Sequence, residues 1–185
     1  RSSDLVALRA KEQQDNLRAE DALNQLRTKE TDLTFGANGF ANLKGAQAVN
    51  QPVLKSYGGQ FDEAAQSLSG GLDNDYQRTL FAQRAQIAGL GFRQNIVKHI
   101  AQQSDVYAEN VFKGTLATEL NSATADPSQT PMALTRSANA IKNYADRFGM
   151  PDDWATAAMT SQKSAIYSSQ IRSEEHTSEL QSRHN

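Results

Sequence analysis

Residues 75–124 read DYQRTLFAQRAQIAGLGFRQNIVKHIAQQSDVYAENVFKGTLATELNSAT and contain no proline. Apolar side chains recur along this stretch at intervals of three, four or seven residues, the spacing of one face of an α-helix. The stripe consists of Phe81, Ala85, Ala88, Phe92, Ile96, Ile100, Tyr107 and Val111. The pattern predicts one very long helix over about 75–124. Gly89 and Gly91 leave open whether it is continuous, since glycine costs about 1 kcal/mol relative to alanine inside a helix.

Helical patterns also precede this stretch. Residues 4–33 carry apolar side chains at helical spacing, and polar residues in the middle of the stripe predict a firm seam only from Ala19 onwards. A glycine-rich turn is expected at 35–40, with its two phenylalanines packed beneath the bend. Short helices are expected over 42–68.

The segments around and after the long helix carry the signals of helix ends. Asp73 or Asn74 is expected to cap the start of the long helix, because their side chains accept hydrogen bonds from free backbone amides. Helices are predicted over 131–148 and 151–171, with Gly149 as the C-cap of the first. No strand-like alternation of useful length occurs. The expected fold is therefore all-α, an extended bundle of about five to six helices.

Composition narrows the function classes. The chain has 19 basic and 21 acidic residues; without 172–185, which hold two Arg and three Glu, 17 and 18 remain, a formal charge of −1. A near-neutral chain lacks the clustered Lys and Arg that a nucleic-acid or acidic-membrane surface needs. There is no cysteine, which excludes a disulfide framework and thiolate chemistry. No run approaches the roughly 18 apolar residues of a membrane span.

Two features could suggest a ligand site. His99 is the only histidine before residue 172, and no Asp or Glu lies at a helical i±3 or i±4 position to orient it. One histidine also supplies too few ligands for a metal site. The glycine-rich run from Gly36 to Gly45 lacks the spacing and the Ser or Thr of a phosphate loop. We therefore interpret His99 as a helix-boundary residue and the glycine run as a turn.

The carboxylates give no catalytic pair. Acidic neighbours occur at Glu20-Asp21, Asp62-Glu63 and Asp152-Asp153. Solvated helix faces explain the first two, and complementation of a helix dipole explains the third. Glu109 and Glu119 lie on the long helix, but neither is followed by the Ser of the Glu-Ser signature of soluble lytic transglycosylases. The prediction is that the chain has no catalytic, cofactor-binding or metal-binding residue and is not an enzyme.

Several segments together resemble a known family. They are DALNQLRTKETDLTFGANGF at 21–40, LKGAQAVN at 43–50, GLDNDYQR at 71–78, GFRQ at 91–94, and the pattern from Tyr144 through GMPD at 149–152 to Trp154. Over most of residues 15–170 the chain resembles the internal virion, or DNA-ejection, proteins of tailed phages and prophages. The resemblance implies a component that is packaged in the virion, assembles with copies of itself or with other virion proteins, and is released into the host envelope during genome delivery.

The same resemblance limits what can be transferred. Some relatives carry a separate peptidoglycan-cleaving domain, which would lie outside this segment, and the family offers no catalytic residue to map onto it. Neither a small-molecule ligand nor a cofactor is implied. Two alternatives stay open: a segment of a tape-measure-like or other helical structural protein, and a non-catalytic part of a peptidoglycan-degrading virion protein.

The end of the chain carries a different signal. Residues 172–182 read RSEEHTSELQS, which matches codon for codon the translation of an adapter ligated to DNA for short-read sequencing. Such segments are excluded from fold reasoning. We therefore expect residues 1–171 to be a helical fragment of a larger protein, and 172–185 to be an artefactual tail that forms no domain.

Overall fold

The computed structural model describes residues 1–185 and is all-α, as predicted. Its helices are α1 (Ser2–Phe35), α2 (Ala46–Val49), α3 (Val53–Gly70), α4 (Asp75–Ala125), α5 (Thr130–Phe148) and α6 (Asp152–His184). Two 3-10 helices, Phe40–Asn42 and Pro127–Gln129, lie in the connections. The very long helix is confirmed as α4, which continues through Gly89 and Gly91 without a break.

The chain divides into two compact units, Arg1–Val106 and Tyr107–Asn185, and α4 contributes to both. In the first unit α1 and α4 run parallel, since Asp15 contacts Gln77 and Glu20 pairs with Arg84 further along both helices. α3 runs in the opposite direction to α4, because only residues 71–74 separate the two helices, and it packs against α1 as well.

The core of the first unit is built on the predicted stripe of α4. Phe81, Phe92 and Ile96 are fully buried and pack with Leu26 of α1 and Phe61 of α3. The rings of Phe61 and Phe92 stack with centroids 5.1 Å apart. Burial of these large side chains is the main term that holds the three helices together.

The seam of α1 is firm only in its second half, as predicted. Its buried apolar residues are Ala19, Ala22, Leu23, Leu26 and Leu33. Residues 1–14, by contrast, are exposed throughout, because they project past the 71–74 turn where α3 ends and α4 begins. The start of α1 is therefore a helix whose apolar face has no neighbour within the chain.

The observed connection between α1 and α3 differs in part from the predicted one. Phe40 is buried beneath the bend, but Phe35 is 74% exposed because it ends α1 on the solvent side before the chain turns at Gly36. The expected short helices over 42–68 resolve into the 3-10 helix, α2 and α3. Glycine is required at Gly45, whose φ of 50° lies in the region that side chains avoid.

Asn74 is the residue that caps α4. Its Oδ1 accepts a hydrogen bond from the backbone amide of Gln77 at 2.9 Å. In return, Gln77 Oε1 accepts from the amide of Asp73, also at 2.9 Å. The expected cap is thus confirmed at one of its two candidate residues, and the reciprocal pair satisfies two amides at the turn.

The second unit packs α5 and α6 with the end of α4. Small side chains, Ala123 and Ala133, surround the buried Ile166 and allow close helix approach. Gly149 ends α5 in the left-handed conformation, with φ 63°, as predicted for a C-cap. The acidic pair Asp152-Asp153 lies in the first turn of α6, where it complements the helix dipole.

α6 continues past residue 171, where the predicted helix ends, and reaches His184. Every side chain from 171 to 185 is exposed. None of the helices is both long and apolar enough to cross a bilayer.

Removing residues 172–185 is therefore expected to leave the melting temperature unchanged, because no buried apolar surface is lost. Thermal unfolding of the full chain and of the shortened chain, followed by circular dichroism, tests this. A fall of several degrees on deletion would mean that the tail packs against the second unit.

Candidate functional site

His99 serves the fold. Its Nε2 donates a hydrogen bond to the carbonyl oxygen of Leu43 at 2.8 Å, and its ring meets the edge of Phe40 with centroids 5.5 Å apart. Nearby, the amide of Gly45 donates to Gln103 Oε1 at 2.8 Å. Two side chains of α4, His99 and Gln103, thus bind the connection between α1 and α3 by hydrogen bonds. This placement agrees with a boundary role for His99 and with a turn at 36–45.

One groove of the first unit brings His99 together with an acid that the sequence did not single out. Glu30 of α1 lines it as well, and burial raises the pKa of Glu30 while Arg27 opposes the shift. The hydroxyls in this groove are committed to backbone carbonyls: Thr31 Oγ1 donates to Arg27 and Thr34 Oγ1 to Glu30. The groove therefore lacks an activated hydroxyl nucleophile beside its acid and its histidine.

Three of the acidic residues considered from the sequence pair with basic side chains of a neighbouring turn or helix. Asp62 lies 2.5 Å from Arg93, Glu20 pairs with Arg84, and Glu109 lies 2.9 Å from Lys113. These pairs are largely exposed, so each contributes little to stability. The Glu20–Arg84 pair joins α1 to α4 and the Asp62–Arg93 pair joins α3 to α4, whereas the Glu109–Lys113 pair lies within α4.

Glu119 is different because it is buried. Its Oε2 has no hydrogen-bond partner, and the nearest cation is Arg136 Nη1 at 3.7 Å. Glu109 lies ten residues before it on α4, a rise of about 15 Å. Glu109 is also paired with Lys113 at 2.9 Å, so the two acids of α4 have different partners.

A buried polar network joins the start of α4 to α1. Asp15 Oδ1 accepts hydrogen bonds from Gln77 Nε2 at 2.8 Å and from Asn74 Nδ2 at 3.0 Å. The side chains of Asp15 and Gln77 are almost completely buried. The hydrogen bond that Gln77 donates, and to a smaller extent the one from Asn74, holds the pKa of Asp15 below its ordinary value. Burial opposes this shift. The network fixes the position of α1 along its axis relative to the 71–74 turn.

This network predicts a pH dependence of stability. Because the pKa of Asp15 is lowered in the folded state, its stabilisation is complete above the unfolded-state pKa of about 4 and is lost as pH falls through the lower folded value. Asp15→Asn is therefore expected to be less stable than the parent at neutral pH and to show a shallower decline on acidification. Melting temperatures between neutral and acidic pH test this.

The exposed Asp4 supplies the matched control, because Asp4→Asn removes a carboxylate from α1 outside the network. The control should keep the parent's acid slope. Equal slopes in the parent and in Asp15→Asn would contradict the assignment of the acid sensitivity to Asp15.

The second unit contains an apolar groove of about 400 Å³ between α4 and α5. Its floor is formed by Ala108, Val111, Phe112, Ala140 and Tyr144, and its rim by Thr115, Arg136, Asn139, Asn143 and Arg147. The rim carries two guanidinium groups, and that of Arg136 lies 3.7 Å from the buried carboxylate of Glu119. Trp154 stacks on Tyr144 with centroids 5.3 Å apart and lies directly behind the floor.

The first unit has a comparable groove of about 510 Å³ between α3 and α4, lined by Phe61, Phe81 and Leu90 among others. Here the charged residues Asp62 and Arg93 neutralise one another. The two grooves are thus similar in size and apolar character, and each contains an arginine that is paired with a carboxylate.

No protein-family model, curated protein or solved structure matches the chain.

Proposed function

We propose that this chain is a structural helical module of a phage internal virion protein and that it acts by self-association and contacts with other virion proteins. The observation that carries self-association is the exposed start of α1. Leu5 and Leu8 are 58% and 64% exposed on a helix that has no neighbour over its first fourteen residues. An apolar helix face of this kind gains most of its stability by packing against another helix.

The segments that resemble the phage family also support a structural role. GANGF and LKG form the connection beneath which Phe40 is buried, and GLDNDYQR contains the Asn74 cap. GFRQ supplies Phe92 to the core and Arg93 to the pair with Asp62. Residues that carry the resemblance thus set turns, caps and helix packing. A module whose characteristic residues act on its architecture fits a virion component that works by assembly.

Sedimentation velocity tests the self-association. The full chain is expected to show a weight-average mass that rises above 20.2 kDa as its concentration increases from the low to the high micromolar range. A mass that stays at the monomer value over this range would contradict self-association. Turnover of peptidoglycan by the chain alone would contradict the structural assignment.

The virion assignment needs a separate test. Sequencing the source DNA across the Ile171 codon, from adapter-trimmed reads, would recover the gene and its neighbours. A reading frame beside portal, tail or terminase genes is the expected result. Several hundred further residues of repetitive helix would favour the tape-measure alternative, and unrelated bacterial neighbours would overturn the virion assignment.

A further inference from the structure

The outer face of α4 in the first unit, on the side away from the core, carries large apolar side chains that are exposed. At 100° per residue, Ile87 and Leu90 project on the side of α4 opposite the buried Phe92. The exposed apolar residues of this face are Tyr76, Ile87, Leu90 and Val97, at 49%, 72%, 60% and 52%. They lie too regularly along the helix to be scattered surface residues, which need no explanation.

The residues along the centre of this face follow a heptad repeat. From Tyr76 onwards they recur at alternating steps of four and three residues over nearly four heptads, a length typical of coiled coils. They are Tyr76, Leu80, Gln83, Ile87, Leu90, Gln94, Val97 and Ala101, and we call them the outer seam. None is charged, and all are exposed except Leu80, which is half-buried.

The outer seam is complementary to itself when two copies run antiparallel about a two-fold axis between positions 87 and 90. In such a pair residue i faces residue j and j faces i. The facing pairs are Ile87–Leu90, Leu80–Val97, Gln83–Gln94 and Tyr76–Ala101. Apolar residues thus meet apolar residues, and the bulkiest side chain, Tyr76, meets the smallest, Ala101. The amides of Gln83 and Gln94 can bond to each other, because each carries both donors and acceptors.

The two glutamines select this register. A slip of one heptad in one direction places Gln83 against Ile87, and a slip in the other places Gln94 against Leu90. Either slip buries an amide against an apolar side chain without a hydrogen-bond partner, which costs free energy. A polar residue in a coiled-coil seam specifies register in this way.

Charge and size select the antiparallel orientation over the parallel one. In a parallel pair Arg93 of each copy would face Lys98 of the other across the seam, and like charges at such flanking positions repel. In the antiparallel pair Arg93 faces Gln86. A parallel pair would also oppose Tyr76 to Tyr76 and Ala101 to Ala101, which overfills one layer and leaves a gap in another.

We propose that the outer seam of α4 binds the outer seam of a second copy in antiparallel orientation, with Ile87 and Leu90 at the two-fold axis. This inference rests on the self-association proposed above and gives it a surface besides the start of α1. The contact is isologous, so by itself it closes at a dimer. Its glutamine layers lower its stability. The pair is therefore expected to form at high micromolar concentrations and to dissociate at low micromolar ones.

Cysteine cross-linking tests the orientation, because the chain has no cysteine of its own. Gln83→Cys mixed with Gln94→Cys and oxidised glutathione is expected to form a disulfide-linked heterodimer, since facing seam residues lie within reach of a disulfide. Either variant alone should stay unlinked: the two copies of position 83 are eleven residues apart along the axis, or about 16 Å. Gln94→Cys mixed with Ala138→Cys, which is exposed on α5, is the control and should not cross-link.

A charge in the seam tests its apolar character. Leu90→Glu places a carboxylate in both central layers, and it is expected to lower the weight-average mass at high micromolar concentration and to abolish the cross-link when added to both cysteine variants. Leu17→Glu is the matched control, because Leu17 is 70% exposed but lies on α1. It should associate as the parent does. Circular dichroism checks that both variants retain the parent's helical content.

Leu5→Gln/Leu8→Gln separates the outer seam from the start of α1. This variant is expected to keep the cross-link between positions 83 and 94. Its mass should rise with concentration towards twice 20.2 kDa and no further. Adding Leu90→Glu to it should give a monomer at every concentration.

The outcomes separate this inference from the function on which it rests. Parent-like association of Leu90→Glu, or cross-linking of Gln83→Cys with itself, would overturn the antiparallel pair while leaving self-association in place. Binding of the parent to phosphatidylglycerol vesicles without a cross-link between positions 83 and 94 would assign the seam to a membrane surface and overturn it as well. A parent chain that remains monomeric at all concentrations would overturn both proposals.

Discussion

Replacing Phe92 with alanine is expected to lower the free energy of unfolding of the first unit by about 3–5 kcal/mol. Phe92 is 1% exposed, and its ring stacks on Phe61 and meets the edge of Phe40 with centroids 5.8 Å apart. It therefore joins α4 to α3 and to the connection after α1. Its removal leaves a cavity between three rigid segments that cannot close around it.

Urea unfolding followed by far-ultraviolet circular dichroism measures this loss. The chain's only tryptophan, Trp154, lies in the second unit, so its fluorescence gives a separate transition for that unit. The fluorescence midpoint should move less than the dichroism midpoint. Ile87→Ala is the control on the same helix, because Ile87 is 72% exposed and its truncation should cost little. Equal losses for Phe92→Ala and Ile87→Ala would show that Phe92 is not a core residue.

Gly39→Ala is expected to be the second most disruptive single change, costing about 3 kcal/mol. A Cβ at this position would lie 2.4 Å from the carbonyl oxygen of Thr34 and 2.8 Å from the amide nitrogen of Phe35. These are backbone atoms at the end of α1, so no side-chain rotation relieves the overlap. The connection must move, and Phe40 moves with it out of the core.

Gly59→Ala is the matched control, and it is expected to raise the stability of the chain. No atom lies within 4 Å of a Cβ built at Gly59, which is inside α3. Alanine there should stabilise the helix by up to about 1 kcal/mol. The urea midpoint of Gly39→Ala should therefore lie below that of the parent, and the midpoint of Gly59→Ala should lie above it. A Gly39→Ala midpoint equal to that of the parent would contradict the close approach of the connection to α1.

Local patterns predict the helices of this chain well because each is long and periodic. The stripe from Phe81 to Ile96 identified the core face of α4, and the weak start of the α1 pattern identified where its seam becomes firm. The prediction that Phe35 packs beneath the bend was wrong, because the orientation of its side chain depends on the direction in which the chain leaves α1 at Gly36. α6 runs beyond residue 171 because local helix propensity extends it without core contacts.

Contacts between distant residues could not be predicted in this way. Asp15 looks like an ordinary surface acid in the sequence, and its partners Asn74 and Gln77 are about sixty residues away. The α4–α5 groove likewise depends on which faces of two helices meet. The available signal was the placement of Leu5 and Leu8 ahead of the weak part of the α1 stripe, which indicates an apolar face that the chain itself does not cover.

The way in which α4 holds the connection after α1 has a consequence for hydrogen exchange. The amides of Gly39 and Leu43 donate to Gly36 and Phe40 within the connection, and the amide of Gly45 donates to a side chain of α4. Segments outside regular helices usually exchange their amide protons by small local openings. Here the amide of Gly45 can be released only when the connection leaves α4. Its protection should therefore follow the global unfolding of the first unit, so this corner exchanges at the pace of the core helices.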